Sequence, residues 1–323
     1  SQKHLITVMG FLVPTNVAEK HEQAVAFYPE MQAVCDHHHV IGHTKYPVTG
    51  FLFSLLTNSL SDAFTQHAQG KIDALKDKME QLRKAGVNPK DIYIEGISLG
   101  GVAAVNFLAD KPEYKDVSVI LYDPVPNVKV ILEKIMKKSP TDKGWDFLFN
   151  LFGDSAQKTT IKYPFNWLLS SSTKEKIEKI FNGKEAEDPI KSKFLSDKVW
   201  KNFIANRTGT EGIKGLTKGT EPTEGTIDYF YPKAGDDYVT SAETNDIAKK
   251  IKRIPNSEIR PSGTRPHTQQ SQQYYKEFLP EIMEFDRTEG GNPPPLAPRN
   301  LTPDLPQTPP RQISSPFSNI GRH

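Results

Sequence analysis

The chain has 323 residues, which is enough for one large domain or two of average size. Its formal net charge of +2 argues against nucleic acid or an anionic membrane surface as a partner, and its single cysteine, Cys35, excludes an internal disulfide. No apolar leader and no run of about 18 apolar residues is present, so the sequence predicts a soluble protein, either cytoplasmic or exported without a Sec signal.

The chain opens with a predicted strand, Leu5 to Met9, that runs into a turn beginning at Gly10 and Phe11. Mixed apolar spacing from Asn16 to about Cys35 then indicates a helix, which Pro29 is expected to interrupt. This order of strand, turn and helix is the beginning of an α/β pattern.

A histidine-rich stretch from Cys35 to His43 resembles a set of metal ligands in composition. Val40 to Gly42 indicate a strand, however, and four positions along a strand separate His39 from His43 by about 13 Å. One ion cannot bridge that distance, so the stretch is interpreted as a polar loop that enters a strand. We expect no metal and no other cofactor.

The next segment contains an apolar run, Phe51 to Leu56, which fits either core or the wall of an acyl pocket. A long amphipathic helix is predicted from Ser61 to Ala85, because its apolar residues recur at helical spacing between charged ones. Gly86 is expected to end this helix.

The most informative stretch is the pentapeptide Gly96–Gly100, which has the form G-x-S-x-G with Ser98 at its centre. Alternating apolar residues from Ile92 predict a strand before it, and small apolar residues from Val102 to Ala109 predict a buried helix after it. A sharp strand-to-helix turn forces its central residue into strained geometry, and glycines on both sides remove side chains that would collide. Ser98 would then stand exposed at a helix N-terminus.

A continuous apolar strand, Val117 to Tyr122, follows and ends at Asp123, at the edge of the sheet where ligands bind in open α/β folds. From 128 to 225 the alternation of strands and helices stops, and aromatic-rich and Lys-rich helical segments take its place, one of them Lys198 to Ile204. These segments either cover an apolar acyl slot or simply pack on the sheet.

The alternation returns with a strand from Thr226 to Tyr231. Asp236 lies in the loop that follows, before a helix predicted from about Ser241. A weak last strand, Ser257 to Pro261, precedes a loop that ends at His267. A final helix is then predicted from Thr268 to Phe285, with Pro280 as a point of kinking.

The end of the chain, 287–323, has no periodicity, and nine prolines fall within its last 34 residues. This composition predicts an extended or disordered tail. Pro306 to Arg311 fit a P-x-x-P-x-R ligand for SH3-type grooves, although a proline-rich tail produces such matches by chance.

Together these motifs resemble the α/β-hydrolase family, in its lipase and esterase branch. The resemblance implies a mostly parallel central sheet with helices on both faces and a helical cap inserted after the sixth strand. It divides the chain into a core (1–127 and 226–286), a cap (128–225) and the tail (287–323). Tyr122-Asp123-Pro124 is similar to a lipase segment that carries the triad acid, and Asp123 to Pro126 are similar to a stretch in secreted bacterial lipase-like effectors, which adds delivery into a host cell to the expected locations.

By this resemblance Ser98 is the nucleophile and His267 the base, with Asp236 as the acid and Asp123 as the alternative acid. The oxyanion hole would be formed by the amides of Phe11 and Leu99, although many relatives have a histidine where this chain has Met9. The expected function is hydrolysis of carboxylic esters, with lipid or acyl esters as substrates and transient membrane contact through the cap. Two alternatives are an inactive hydrolase-fold binding protein that uses its cap and tail, and an acyltransferase.

Overall fold

The computed structural model describes residues 1–10, 15–42, 60–125, 195–210, 223–232, 239, 241–262 and 270–284. Several predicted features lie outside these ranges: the apolar run from Phe51, most of the predicted cap, and the whole of the proline-rich tail with its SH3-type motif.

The described residues form six parallel strands in one sheet, in the order β2-β1-β3-β4-β5-β6. Strands β1, β3 and β4 lie in the middle of this sheet and are buried along their whole length, as their mostly apolar sequences favour. The strands are β1 (His4–Val8), β2 (His37–Ile41), β3 (Ile92–Ile97), β4 (Ser118–Tyr122), β5 (Ile227–Tyr231) and β6 (Ser257–Pro261).

Helices pack on both faces of the sheet. Because the chain runs from β1 outward to β2 and then back across the sheet to β3, its crossovers lie on opposite faces. The helices are α1 (Thr15–Phe27), α2 (Pro29–Val34), α3 (Leu60–Lys84), α4 (Leu99–Ala109), α5 (Asp197–Thr208), α6 (Ser241–Ile251) and α7 (Leu279–Glu284). The predicted architecture, a parallel sheet between two helical layers, is confirmed.

Each face has its own apolar core. One core joins the sheet to α3, α4, α5 and α6, with Leu75, Phe203 and Ile247 among its buried side chains. The other joins the sheet to α1, α2 and α7, with Met31 and Leu279 buried. Burial of one such side chain stabilises the fold by about 1.5–3 kcal/mol, so these two cores hold the strand ends in a fixed arrangement.

Helix α5 falls in the range predicted as the cap, and it packs against α4 on the sheet. Trp200 and Phe203 are buried there, and Asn206 Nδ2 donates hydrogen bonds to the carbonyls of Leu108 and Ala109 at the end of α4. Residues 128–194 and 211–222 of the predicted cap (128–225) lie outside the described residues, so a cap over the site stays a prediction.

The histidine-rich stretch differs from its prediction as a loop. β2 begins at His37, three residues earlier than expected, because His4 to Val8 of β1 pair with His37 to Ile41 in parallel register. The rings of His4 and His37 stack with centroids 4.5 Å apart. No group of three or more metal-binding side chains is found among the described residues.

The last helical segment also differs from its prediction. After an α-helical start at 272–273 it widens into a π-helix, Tyr274–Phe278, and returns to α-helix at Leu279, immediately before Pro280. A proline removes one backbone donor and its ring collides with the carbonyl four residues earlier, so the preceding turn widens. None of the helices built from the described residues is long and apolar enough to span a bilayer.

Lys71 provides a test of how α3 packs against the end of β2. It is only 2% exposed, and its Nζ donates a hydrogen bond to the Gly42 carbonyl at the end of β2. Burial disfavours the ammonium form and lowers the pKa of Lys71 to about 7. Between pH 7 and the ordinary lysine pKa, the unfolded chain therefore binds one more proton than the folded chain.

We expect the free energy of unfolding of the wild type to rise with pH relative to Lys71→Met, by about 1 kcal/mol per pH unit between pH 7.5 and 9.5. Urea titrations of both proteins across this range measure the difference. Parallel pH curves for the two proteins would show that Lys71 is charged in the folded state.

Candidate active site

The turn after β3 has the backbone geometry of a nucleophile elbow. Ser98 connects β3 to α4 with φ 54° and ψ −120°, a conformation that residues with a Cβ adopt at a cost of about 1–3 kcal/mol. Its amide donates to the Tyr122 carbonyl at the end of β4, at 3.0 Å, which fixes the strained residue at the carboxyl edge of the sheet. The predicted strand, turn and helix are confirmed here.

The two glycines of the motif are required by backbone packing. A methyl group on Gly96 would lie 2.5 Å from the Cα of Gly101, and one on Gly100 would overlap the carbonyl oxygen of Val8 at the end of β1. Such separations do not occur between real atoms. Glycine at both positions therefore lets α4 start directly above β1 and β3.

The surroundings of Ser98 suit a developing negative charge. Ser98 precedes Leu99, the first residue of α4, whose N–H is one of the four at a helix start that lack an acceptor within the helix. Gly10 lies beside the serine, because a methyl group on it would be 3.2 Å from Ser98 Cβ and 3.7 Å from Oγ. Gly10, which precedes the expected oxyanion donor Phe11 in the sequence, thus lies next to the serine.

Asp123, the alternative acid, follows β4 at the same edge of the sheet. It has φ 44°, is 3% exposed, and its amide donates to the Phe230 carbonyl at 3.0 Å. Its Oδ1 accepts a 2.8 Å hydrogen bond from Ser262 Oγ, immediately after β6. A buried carboxylate therefore lies one strand away from the one that carries Ser98.

The other sequence-predicted site residues, Phe11, Asp236 and His267, lie outside the described residues. Their roles stay predictions. The structure does bring together Ser98, Leu99 and Asp123, which come from adjacent strand ends.

A buried polar cluster surrounds Glu95, and no sequence motif predicts it. Glu95 on β3 is fully buried and accepts hydrogen bonds from Thr7, His21 and Tyr274. Burial by itself raises the pKa of Glu95, but the neighbouring His21 and these hydrogen bonds outweigh it, so its pKa lies below the ordinary value and it is a carboxylate at neutral pH. The one sequence feature that indicates such a cluster is a single charged residue, Glu95, on the same face of an apolar strand as Tyr93 and Ile97.

Comparison with known proteins gives distant structural neighbours. No family model matches this chain, and no curated protein matches it in sequence. An esterase from Pyrococcus furiosus has a TM-score of 0.47 at 15% identity, over 88% of this chain and 82% of its own. A haloalkane dehalogenase from Agrobacterium tumefaciens has a TM-score of 0.41 at 12% identity, over 88% and 89%. A bromoperoxidase from Bacillus anthracis has a TM-score of 0.40 at 15% identity, over 88% and 93%.

These neighbours differ in activity and are remote in sequence, so they do not identify a reaction for this chain. The class of fold follows from the molecule itself. A parallel sheet of this order, covered on both faces and carrying a strained serine between β3 and α4, is an α/β-hydrolase fold.

A pair of glycine substitutions tests the packing of the elbow. Gly100→Ala places a methyl group against the backbone of β1, and we expect it to lower the free energy of unfolding by about 1–3 kcal/mol. Gly70→Ala, on α3, meets no atom within 4 Å and should raise it by about 0.5–1 kcal/mol, because alanine favours helix. Urea unfolding measures both. Equal stability of the two variants would contradict the close approach of α4 to β1.

Proposed function

We propose that this protein is a serine hydrolase that cleaves carboxylic esters. The observation that carries the proposal is the strained backbone of Ser98 at the start of α4, held at the carboxyl edge of the sheet. Strain of this kind persists only where the surroundings determine it. Ser98 is 7% exposed, so the elbow holds the serine in a buried position and not in the exposed one that the sequence predicts.

In the proposed reaction Ser98 Oγ attacks the ester carbonyl carbon while His267 accepts the hydroxyl proton. The tetrahedral oxyanion accepts hydrogen bonds from the amides of Leu99 and Phe11, and each such donor contributes about 3–4 kcal/mol in comparable hydrolases. His267 then protonates the departing alcohol, and water releases the acid from the acyl-serine. The roles of His267 and Phe11 in this reaction are inferred from the sequence.

The acid of the triad would orient His267 and stabilise its charged form. Two observations favour Asp123 for this role over Asp236, the first choice from sequence. Asp123 is buried at the same sheet edge as Ser98, and its carboxylate is tied to Ser262, which precedes His267 by five positions.

Lipid or other acyl esters are the proposed substrates within this class. The proposal rests on the apolar run Phe51 to Leu56 and on the aromatic segments of the predicted cap. Turnover of p-nitrophenyl esters of increasing chain length tests it: a lipid slot favours long acyl chains, whereas an open site favours acetate and butyrate.

Substitution of the nucleophile and of the base tests the mechanism. Ser98→Ala and His267→Ala should each lower kcat for a p-nitrophenyl ester by about 10⁶-fold or to the background rate, because the triad acts as a unit. Thermal unfolding of the variants provides the control for folding. Turnover retained in either folded variant would exclude the proposed roles.

Separate substitution of the two acids decides between them. If Asp123 is the acid, Asp123→Asn should lower kcat by about 10⁴-fold while Asp236→Asn has little effect, because an amide cannot stabilise the imidazolium. Asp77→Asn, an exposed position on α3, is the matched control and should be unchanged. The reverse ranking would return the role to Asp236. Full activity in both variants would leave the proposal without an acid and contradict the triad.

A further inference from the structure

Glu95 lies at the centre of a buried polar cluster on β3, the strand that leads to the nucleophile. It precedes Ser98 by three positions on β3, and both oxygens of its carboxylate are engaged. Oε1 accepts from Thr7 Oγ1 at 2.7 Å and from His21 Nε2 at 2.8 Å, and Oε2 accepts from the Tyr274 hydroxyl.

The partners of Glu95 come from the segments that flank the proposed site. Thr7, on β1, precedes Gly10 by three positions, and Tyr274, at the start of the π-helix, follows His267 by seven. Glu95 itself lies on the strand that carries Ser98. One carboxylate therefore connects the three segments to which the oxyanion donor, the nucleophile and the base belong.

A second path extends the cluster to Gln270. His21 Nδ1 lies 2.8 Å from the Tyr275 hydroxyl oxygen, and this hydroxyl donates to Gln270 Oε1 at 3.2 Å. Gln270 follows His267 by three positions. Gln270 is the first described residue after His267 in the sequence, and the cluster extends as far as this residue.

Stability alone does not explain why the cluster contains a buried carboxylate. A buried carboxylate with its partners is often no more stabilising than apolar side chains of the same volume, because its desolvation offsets the attraction. Hydrogen bonds to a charged group also fix the orientation of each partner side chain, because they are short and directional. Apolar packing would hold the same segments together without fixing their register.

We propose that Glu95 is a positioning residue for the hydrolytic site. It holds the end of β1, the nucleophile strand and the segment after His267 in one fixed relation, so that the reacting groups are aligned before substrate binds. This inference rests on the proposed function. It assigns Glu95 no contact with the substrate and no step in the chemistry.

The test removes one hydroxyl at a time while it keeps the aromatic ring. Tyr274→Phe deletes a donor to Glu95 and leaves the ring packed edge-on against Tyr122 and Phe230. The matched control is Tyr93→Phe. Tyr93 lies on β3 and is buried like Tyr274, but its hydroxyl donates to the Met283 carbonyl of α7 at 3.3 Å and not to Glu95.

We expect Tyr274→Phe to lower kcat for a p-nitrophenyl ester by about 10- to 100-fold with KM changed less than about two-fold, because misalignment affects the chemical step more than binding. Tyr93→Phe should keep both constants near those of the wild type. Thermal unfolding of each variant shows whether the two lose similar stability. Should Tyr274→Phe fail to fold, Thr7→Val deletes another donor to Glu95, and the same loss of kcat is expected.

Two negative results are distinguishable. An active wild type in which Tyr274→Phe and Thr7→Val match Tyr93→Phe in kcat would overturn the positioning role and leave the proposed function intact. A folded wild type without esterase turnover would overturn the proposed function, and the positioning role with it.

Discussion

The close approach of α4 to the ends of β1 and β3 is the constraint on which the rest of this structure depends. No side chain fits between Gly100 and the Val8 carbonyl, or between Gly96 and Gly101. With these gaps closed, Ser98 is forced to a positive φ at the carboxyl edge of the sheet. The cost of about 1–3 kcal/mol is small beside the two apolar cores that hold the helix in place. Two of the three described non-glycine residues with a positive φ, Ser98 and Asp123, lie at this edge of the sheet, so backbone strain is concentrated beside the proposed site.

Three positions before the strained Ser98, β3 carries a buried charged group inside an otherwise apolar core. Glu95 is a buried carboxylate whose three donors come from β1, α1 and the π-helix, so the strands and the last helical segment are connected through directional bonds as well as through packing. Asp123 and Ser262 form a similar short link between the ends of β4 and β6. In both cases, segments far apart in the chain are brought into register at the edge that carries Ser98, which is the arrangement that a multi-residue site needs.

Local pattern was sufficient for the sheet and the elbow but not for the polar interior. Continuous apolar runs such as Val117 to Tyr122 predict buried parallel strands, and the glycines around Ser98 predict a turn that only glycine permits. The contacts of Glu95 join residues separated by 74, 88 and 179 positions, and no periodicity records them. The polarity of the histidines from His37 predicts a loop, whereas pairing with β1 makes these residues a strand. Pro280 was expected to kink the last helix, and the widened π-turn before it is how the backbone accommodates it.

The central claim is that Ser98 is an activated nucleophile, and covalent labelling tests it most directly. A fluorophosphonate reacts with a serine hydroxyl whose proton a base can accept, and intact-mass spectrometry counts the adducts. The account predicts one adduct on the wild type, none on Ser98→Ala, and a matching peptide modified at Ser98 after digestion. A folded wild type that remains unlabelled, or a label that persists in Ser98→Ala, would contradict it and favour a hydrolase fold that binds rather than cleaves.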